Sequence, residues 1–336
     1  MKYAKCQETY EDIQKHRNDE GFIDLDTLGI IFDNQTREQM GNEQREKNWI
    51  KLGDGRKFLA KESIKYEGKD NGSIYSELLI SELADQVGLQ HANCDLYEKD
   101  GKRGILSENI LSDDEEMFSL NFFVGDNNIN SDYIDITDFF KTGEKLINSL
   151  IKLGCEKSQI KQLLVELQKQ FVFDSFVCES DRHTENISLV VNSKTGEYRL
   201  SPMYDNENSL LLDNNLDLLK EMTSKPSSVK DASDMIYPKI ALMPPIDNPS
   251  AGEIWKYTFD QMIGADEVYD FAMDCFEKLD ITNAIKNVEK KICCPIPYEV
   301  SCVASLTLEQ RRKTINDIML NGIDYDSPKE IDYKVK

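Results

Sequence analysis

Apolar positions change their period about a third of the way along the chain. Up to Ser107 they alternate in short runs. Trp49 to Leu52 and Lys57 to Glu62 flank Gly53-Asp54-Gly55, and Cys94 to Glu98 and Arg103 to Ser107 flank Asp100-Gly101. Asp-Gly between alternating segments predicts two antiparallel hairpins. Shorter strands are expected over Phe22 to Leu25 and Gly29 to Phe32, followed by a polar loop from Asp33 to Lys47. Between the hairpins Leu79, Leu83 and Val87 recur at helical spacing, with Ser73 or Ser76 placed to cap the helix and Gly88 to end it. From Ile136 onward helical periodicity dominates, over Glu144 to Leu153, Ser158 to Phe176, Ile254 to Met262 and Ala265 to Leu279. The pattern predicts an α+β chain of two lobes, a β-rich N-lobe over residues 1–110 and a helical C-lobe over 111–336. The acidic run Asp113 to Glu116 at the junction reads as a solvated turn.

Composition narrows what such a chain does. It has 336 residues, of which 40% are hydrophobic and 30% charged, so it can bury a substantial core. Lys and Arg number 40 against 62 Asp and Glu, a formal charge of −22 that repels phosphate backbones and anionic lipid. Direct contact with nucleic acid is therefore not expected. Nor is a membrane span, because no stretch approaches the roughly 20 apolar residues it needs. The N-terminus carries no apolar run of the kind a signal peptide requires, and the expected location is the cytoplasm. Eight cysteines without a C-x-x-C and three scattered histidines argue against zinc and for reduced thiols. Cys293 and Cys294 beside Pro295 read as small residues at a helix end.

Chemistry concentrates between Phe171 and Leu210. A buried helix is expected to end near Cys178, and the loop after it presents Asp181, Arg182, His183 and Asn186. Ile187 to Val191 and Tyr198 to Ser201 then flank turn residues Asn192 to Gly196. With the turn centred near residue 195, antiparallel partners sum to about 390, which places Asn186 opposite Tyr204 and Asp205. Asp181, Asn186 and Asp205 would then gather two carboxylates and one amide oxygen, donors suited to a hard cation such as Mg²⁺ bridging to substrate phosphates. The interval from Asp181 to Asn186 equals that between the catalytic Asp and the metal-binding Asn of protein-kinase catalytic loops. His183 reads as a structural member of this loop, and Arg182 either pairs a carboxylate or contacts substrate.

D-R-H-x-x-N at Asp181 to Asn186, then S-P-x-Y-D at Ser201 to Asp205 and Ser209-Leu210, resembles the HipA-like serine/threonine kinases, particularly compact bacterial members. The resemblance implies a two-lobed protein-kinase-like fold that binds ATP and Mg²⁺ and transfers a phosphoryl group to a protein serine or threonine. It implies Asp181 as catalytic base, Asn186 and Asp205 as Mg²⁺ ligands, and Lys61 as the lysine on the ATP phosphates. Glu77 would hold Lys61, with Glu82 as its rival, and backbone groups of Leu106, Ser107 and Glu108 would receive adenine. An antitoxin-like protein partner is implied as well, and Thr36 is a candidate autophosphorylation site. The chain departs from the family in Thr36 to Asn42, which holds one glycine where a Gly-rich loop is usual, and in Asn206-Glu207-Asn208 after Asp205. These departures keep open a pseudokinase or nucleotide-binding interaction module, and a phosphatidylinositol-type lipid kinase stays open because D-R-H-x-x-N resembles those kinases too.

Overall fold

The computed structural model describes residues 3–32, 37–40, 43–63, 65–66, 69–124, 138–236, 242, 244 and 246–321. In chain order the elements begin with β1 (Ala4–Lys5), α1 (Tyr10–Ile13), β2 (Ile23–Asp24), β3 (Arg37–Met40), β4 (Glu43–Lys51) and β5 (Lys57–Glu62). Next come β6 (Lys65–Tyr66), β7 (Lys69–Asp70), α2 (Ser73–Val87), β8 (Cys94–Lys99), β9 (Lys102–Glu108) and β10 (Glu115–Ser119). Helices α3 (Leu120–Val124), α4 (Asp138–Lys152) and α5 (Lys157–Val177) precede β11 (Ser188–Asn192) and β12 (Tyr198–Leu200). The remaining elements among the described residues are helices: α6 (Leu216–Ser224), α7 (Pro226–Met235), α8 (Ala251–Met262), α9 (Asp266–Lys278), α10 (Ile281–Ile292) and α11 (Tyr298–Asn321). The fold is α+β and divides into two units. The first comprises Met1–Ile110, Tyr204–Lys225 and Asp280–Ser305, and the second Leu111–Met203, Pro226–Leu279 and Leu306–Lys336.

The first unit is built on a seven-stranded sheet in the order β1-β4-β5-β9-β8-β2, with β3 paired to β4. Both hairpins expected from Asp-Gly form. In the second, Asp100 and Gly101 have φ of 51° and 71°, the double positive φ that lets a two-residue turn follow the twist of its strands. On β5 Phe58 and Ala60 point into a core with Tyr10, Ile13, Ile50, Tyr97 and Leu106, and the Tyr10 and Phe58 rings stack at 5.1 Å. Alternation puts Lys61 on the opposite face of that strand. Gly104 stands opposite Glu62, where a Cβ would lie 2.2 Å from the Lys61 carbonyl oxygen, so only glycine lets β9 approach the lysine strand this closely.

Helix α2 carries Leu78, Leu79 and Leu83 inward and stops at Gly88, whose φ is 72°. Its start differs from the expected serine cap. The N-cap is Gly72, and Asn71 Oδ1 accepts from the Ser73 amide and hydroxyl at 3.1 and 2.6 Å. Two further expectations fail for stated reasons. Gly29 to Phe32 forms no strand, because its first residues close a turn: Gly29, at φ 62°, donates to the Asp26 carbonyl and the Ile30 amide to that of Leu25. The Asp33–Lys47 loop instead contains β3 and most of β4, paired from Arg37↔Glu46 to Met40↔Glu43. These strands lack the apolar alternation by which strands are read. Thr36 and the Gly41-Asn42 pair lie outside the described residues.

The second unit holds a three-stranded sheet, β10-β11-β12, and most of the helices. Helix α5 is buried all round from Gln170 to Val177, as befits a central helix, and ends at Cys178 with φ 58°. The β11–β12 register pairs Leu189 with Leu200 and Val191 with Tyr198, a sum of 389 where the sequence estimate was about 390. The acidic junction is not simply a solvated turn. Glu115 begins β10 and receives both Arg199 Nε and Nη2, at 2.9 and 3.0 Å, which holds its carboxyl well below the usual carboxylate range. Among the described residues no helix is long and apolar enough to cross a membrane.

Candidate functional site

The candidate side chains form two groups, one in each unit. In the first unit Lys61 stands near the end of β5 with a side chain 9% exposed. Its Nζ contacts the Asp205 carboxylate and lies 2.8 Å from Glu207 Oε1. Glu77 comes in from α2, so that one carboxylate oxygen each of Glu77, Asp205 and Glu207 lies within 4.8 Å of the others. Asp205 has φ 58°, a left-handed conformation that Asp tolerates better than most residues, and the turn brings Asn206 and Glu207 back onto α2. Ser76 Oγ donates to the carbonyls of Asn206 and Ser209, at 2.7 and 3.2 Å, and Asn206 Nδ2 donates to Glu77 Oε2 at 3.2 Å. Leu210 and Leu211 continue with φ of 58° and 59° and are fully buried, so packing enforces the bend.

Charge in this cluster is unbalanced. Three carboxylates against one ammonium leave two negative charges when all are ionised. Burial pushes the Glu77 carboxyl up from its ordinary 4.5 to about 7; Lys61 pulls it down, while Glu207 and Asp205 push it further up. An all-oxygen donor set with excess negative charge fits a hard divalent cation. The same imbalance makes a stability prediction. The native state keeps a proton on Glu77 that the unfolded chain has already released, so in EDTA this group's contribution to stability falls as pH rises from 4.5 to about 7. Urea midpoints measured across that window should fall less for Glu77→Gln than for the wild type. Parallel profiles would show that Glu77 is not the titrating group.

The second unit holds Asp181, Arg182, His183 and Asn186 in the loop between α5 and β11. The Asp181 amide donates to Glu179 Oε1 at 2.6 Å, and its carbonyl accepts from the His183 amide and from Asn186 Nδ2, at 2.8 and 3.0 Å. With its nitrogen held there, Asn186 has Oδ1 as the atom to offer a cation. Arg182 is buried and pairs with Asp174 of α5 through two bonds of 3.0 and 3.1 Å, so it is a structural residue. Its Nη1 also donates to the Asn186 carbonyl at 3.4 Å. His183 Nδ1 accepts from the Glu185 amide at 3.1 Å, a role within the loop. Thr184 Oγ1 donates to Asn121 Oδ1 at 2.7 Å and anchors the loop tip.

Leu106 and Ser107 lie inside the ladders between β5 and β8. The Glu108 amide donates to the Asn93 carbonyl at 2.8 Å, and its carboxylate takes Arg56 Nε at 2.7 Å. The Glu108 amide, among the backbone groups expected to receive adenine, is thus paired with the Asn93 carbonyl. Glu82, the rival to Glu77, accepts from Asn287 Nδ2 at 2.9 Å on α10. The structure brings Lys61, Glu77 and Asp205 together in the first unit and Asp181 with Asn186 in the second. Sequence reasoning did not name Asp174, the partner of Arg182. A lone acid in an otherwise apolar stretch of helix, F-V-F-D-S-F-V, was its signal.

A family model described as HipA-like C-terminal domain matches residues 42–262. Among solved structures the chain is similar to the proinflammatory kinase CtkA of Helicobacter pylori, with TM-score 0.61 and 14% identity over 86% of this chain and 94% of that one. It is also similar to HipA of Shewanella oneidensis MR-1, solved with HipB and operator DNA as a toxin–antitoxin system. That likeness has TM-score 0.50 and 13% identity over 85% of this chain and 67% of that one. At such identities these two likenesses are of fold. No curated protein matches the sequence. Because the family match runs through the lysine strand, the 181–186 loop and the acidic cluster, the chain belongs to the HipA-like C-terminal domain family.

Proposed function

We propose that this chain is an ATP- and Mg²⁺-dependent serine/threonine protein kinase. The observation that carries the reading is Lys61, a buried ammonium on a rigid strand that meets Asp205 and Glu207 on the segment after the β11–β12 hairpin. A fixed cation beside acids with excess negative charge suits a nucleotide triphosphate together with its divalent ion, where catalysis is positioning and charge neutralisation. In this reading Lys61 serves the phosphates; Asp205 in the first unit and Asn186 in the second are each candidate ligands for Mg²⁺, and a bound ion would supply neutralisation of the charge developing on the transferred phosphoryl group. Asp181 orients the acceptor hydroxyl and takes its proton.

Incubation of the full chain with γ-labelled ATP and a generic protein acceptor tests the proposal. Label on serine or threonine that disappears in EDTA supports it; Mg²⁺-dependent ATP binding without consumption selects the nucleotide-binding module instead. Peptide mapping of the same sample shows whether Thr36 is among the modified residues. A small DNA-binding protein partner is part of the proposal, since the similar HipA was solved with HipB. Co-elution after coexpression with the product of the neighbouring reading frame supports it, and separate elution rejects that product.

A further inference from the structure

A lysine that serves phosphate must be held before the phosphate arrives, because its four-carbon stem is flexible. Here the holding group lies on the loop that follows the hairpin. Glu207 Oε1 lies 2.8 Å from Lys61 Nζ, with side chains 5% and 9% exposed, so the pair is desolvated on both sides. Exposed ion pairs gain little, but a buried pair in a fixed mount sets geometry. That mount is visible. Asp205 turns the chain at φ 58°, Ser76 Oγ ties the carbonyls of Asn206 and Ser209 to α2, and Asn206 Nδ2 reaches Glu77.

We infer that Glu207 is a positioning residue for Lys61, with the segment 205–209 as its rigid mount and a nucleotide triphosphate as the ligand the lysine is held for. This rests on the kinase reading above. An ammonium carries three donors, so it can keep Glu207 while one donor turns to a phosphate oxygen. Lys61 Nζ also meets Asp205, the candidate metal ligand, while Glu77 is tied to Asn206; Glu207 is the more buried of the two acids on the 205–209 mount that contact the ammonium.

The test compares the full-length wild type with Glu207→Gln, Glu207→Asp and Lys61→Met. The readouts are the Kd for Mg²⁺ with a non-hydrolysable ATP analogue by calorimetry, KM for ATP and kcat by labelled transfer, and Tm. Glu207→Gln is expected to raise Kd and KM on the order of tenfold, with a smaller fall in kcat and little change in Tm. Glu207→Asp, which keeps the charge on a shorter stem, should fall between Gln and wild type. Should Glu207→Gln not fold, the ordering of Glu207→Asp against wild type decides alone. Unchanged or tighter nucleotide binding in the Glu207 variants while Lys61→Met weakens it overturns the positioning role and leaves the kinase reading standing. If Lys61→Met also binds as well as wild type, the kinase reading fails with it.

Discussion

Asp181→Ala is expected to lower phosphoryl transfer by about 10²–10⁴ while nucleotide binding persists, because in the proposed mechanism the carboxylate acts on the acceptor hydroxyl alone. Asp205→Asn should lose transfer to at least the same degree and weaken Mg²⁺-dependent nucleotide binding as well, since it removes the charge of the proposed cation ligand beside Lys61. Asparagine is the right probe there. Asp205 sits at φ 58°, where alanine is strained and asparagine is tolerated, so the bend that carries Glu207 survives. Labelled ATP with the three proteins side by side, folding checked by circular dichroism, decides the matter. Equal labelling of all three would remove both residues from the chemistry.

The largest stability effect is expected at Asp174. Its carboxyl and the Arg182 guanidinium are 0% and 1% exposed, and burial raises the carboxyl although Arg182 pulls it back. Asp174→Ala strands a buried guanidinium and should cost about 3–5 kcal/mol, read from urea unfolding midpoints at constant slope. Replacing both partners, Asp174→Leu with Arg182→Met, should recover much of that loss, because no uncompensated charge remains. A loss below about 1 kcal/mol in the single variant would mean that Arg182 finds water instead. The function follows the packing here. Arg182 also donates to the Asn186 carbonyl, so loosening the pair should lower transfer through misplacement of the 181–186 loop.

Local chemistry was legible wherever one interaction range dominates. The Asp-Gly hairpins, the Gly88 stop of α2 and the β11–β12 register follow from turn conformation and the two-residue period of strands, and each formed where the residues placed it. Polar strands were not legible. Residues 37–40 and 43–46 pair as antiparallel strands, and a nearly all-polar sequence there leaves no hydrophobic alternation to read. The α2 cap was missed because asparagine one residue before the N-cap did the work assigned to serine.

Sequence alone singled out the candidates, Asp181, Asn186 and Asp205 by type and spacing within one short stretch and Lys61 through a family resemblance. Tertiary structure decided their company. It joined residues 204–225 to 1–110 in one unit, so that Glu207 met Lys61 across 146 positions of chain, and it set Arg182 against Asp174 rather than against substrate. The reason is physical: spacing along a chain constrains neighbours within a turn or a hairpin. Contacts between distant segments depend instead on how buried charge is matched once the core has closed, which no local pattern records.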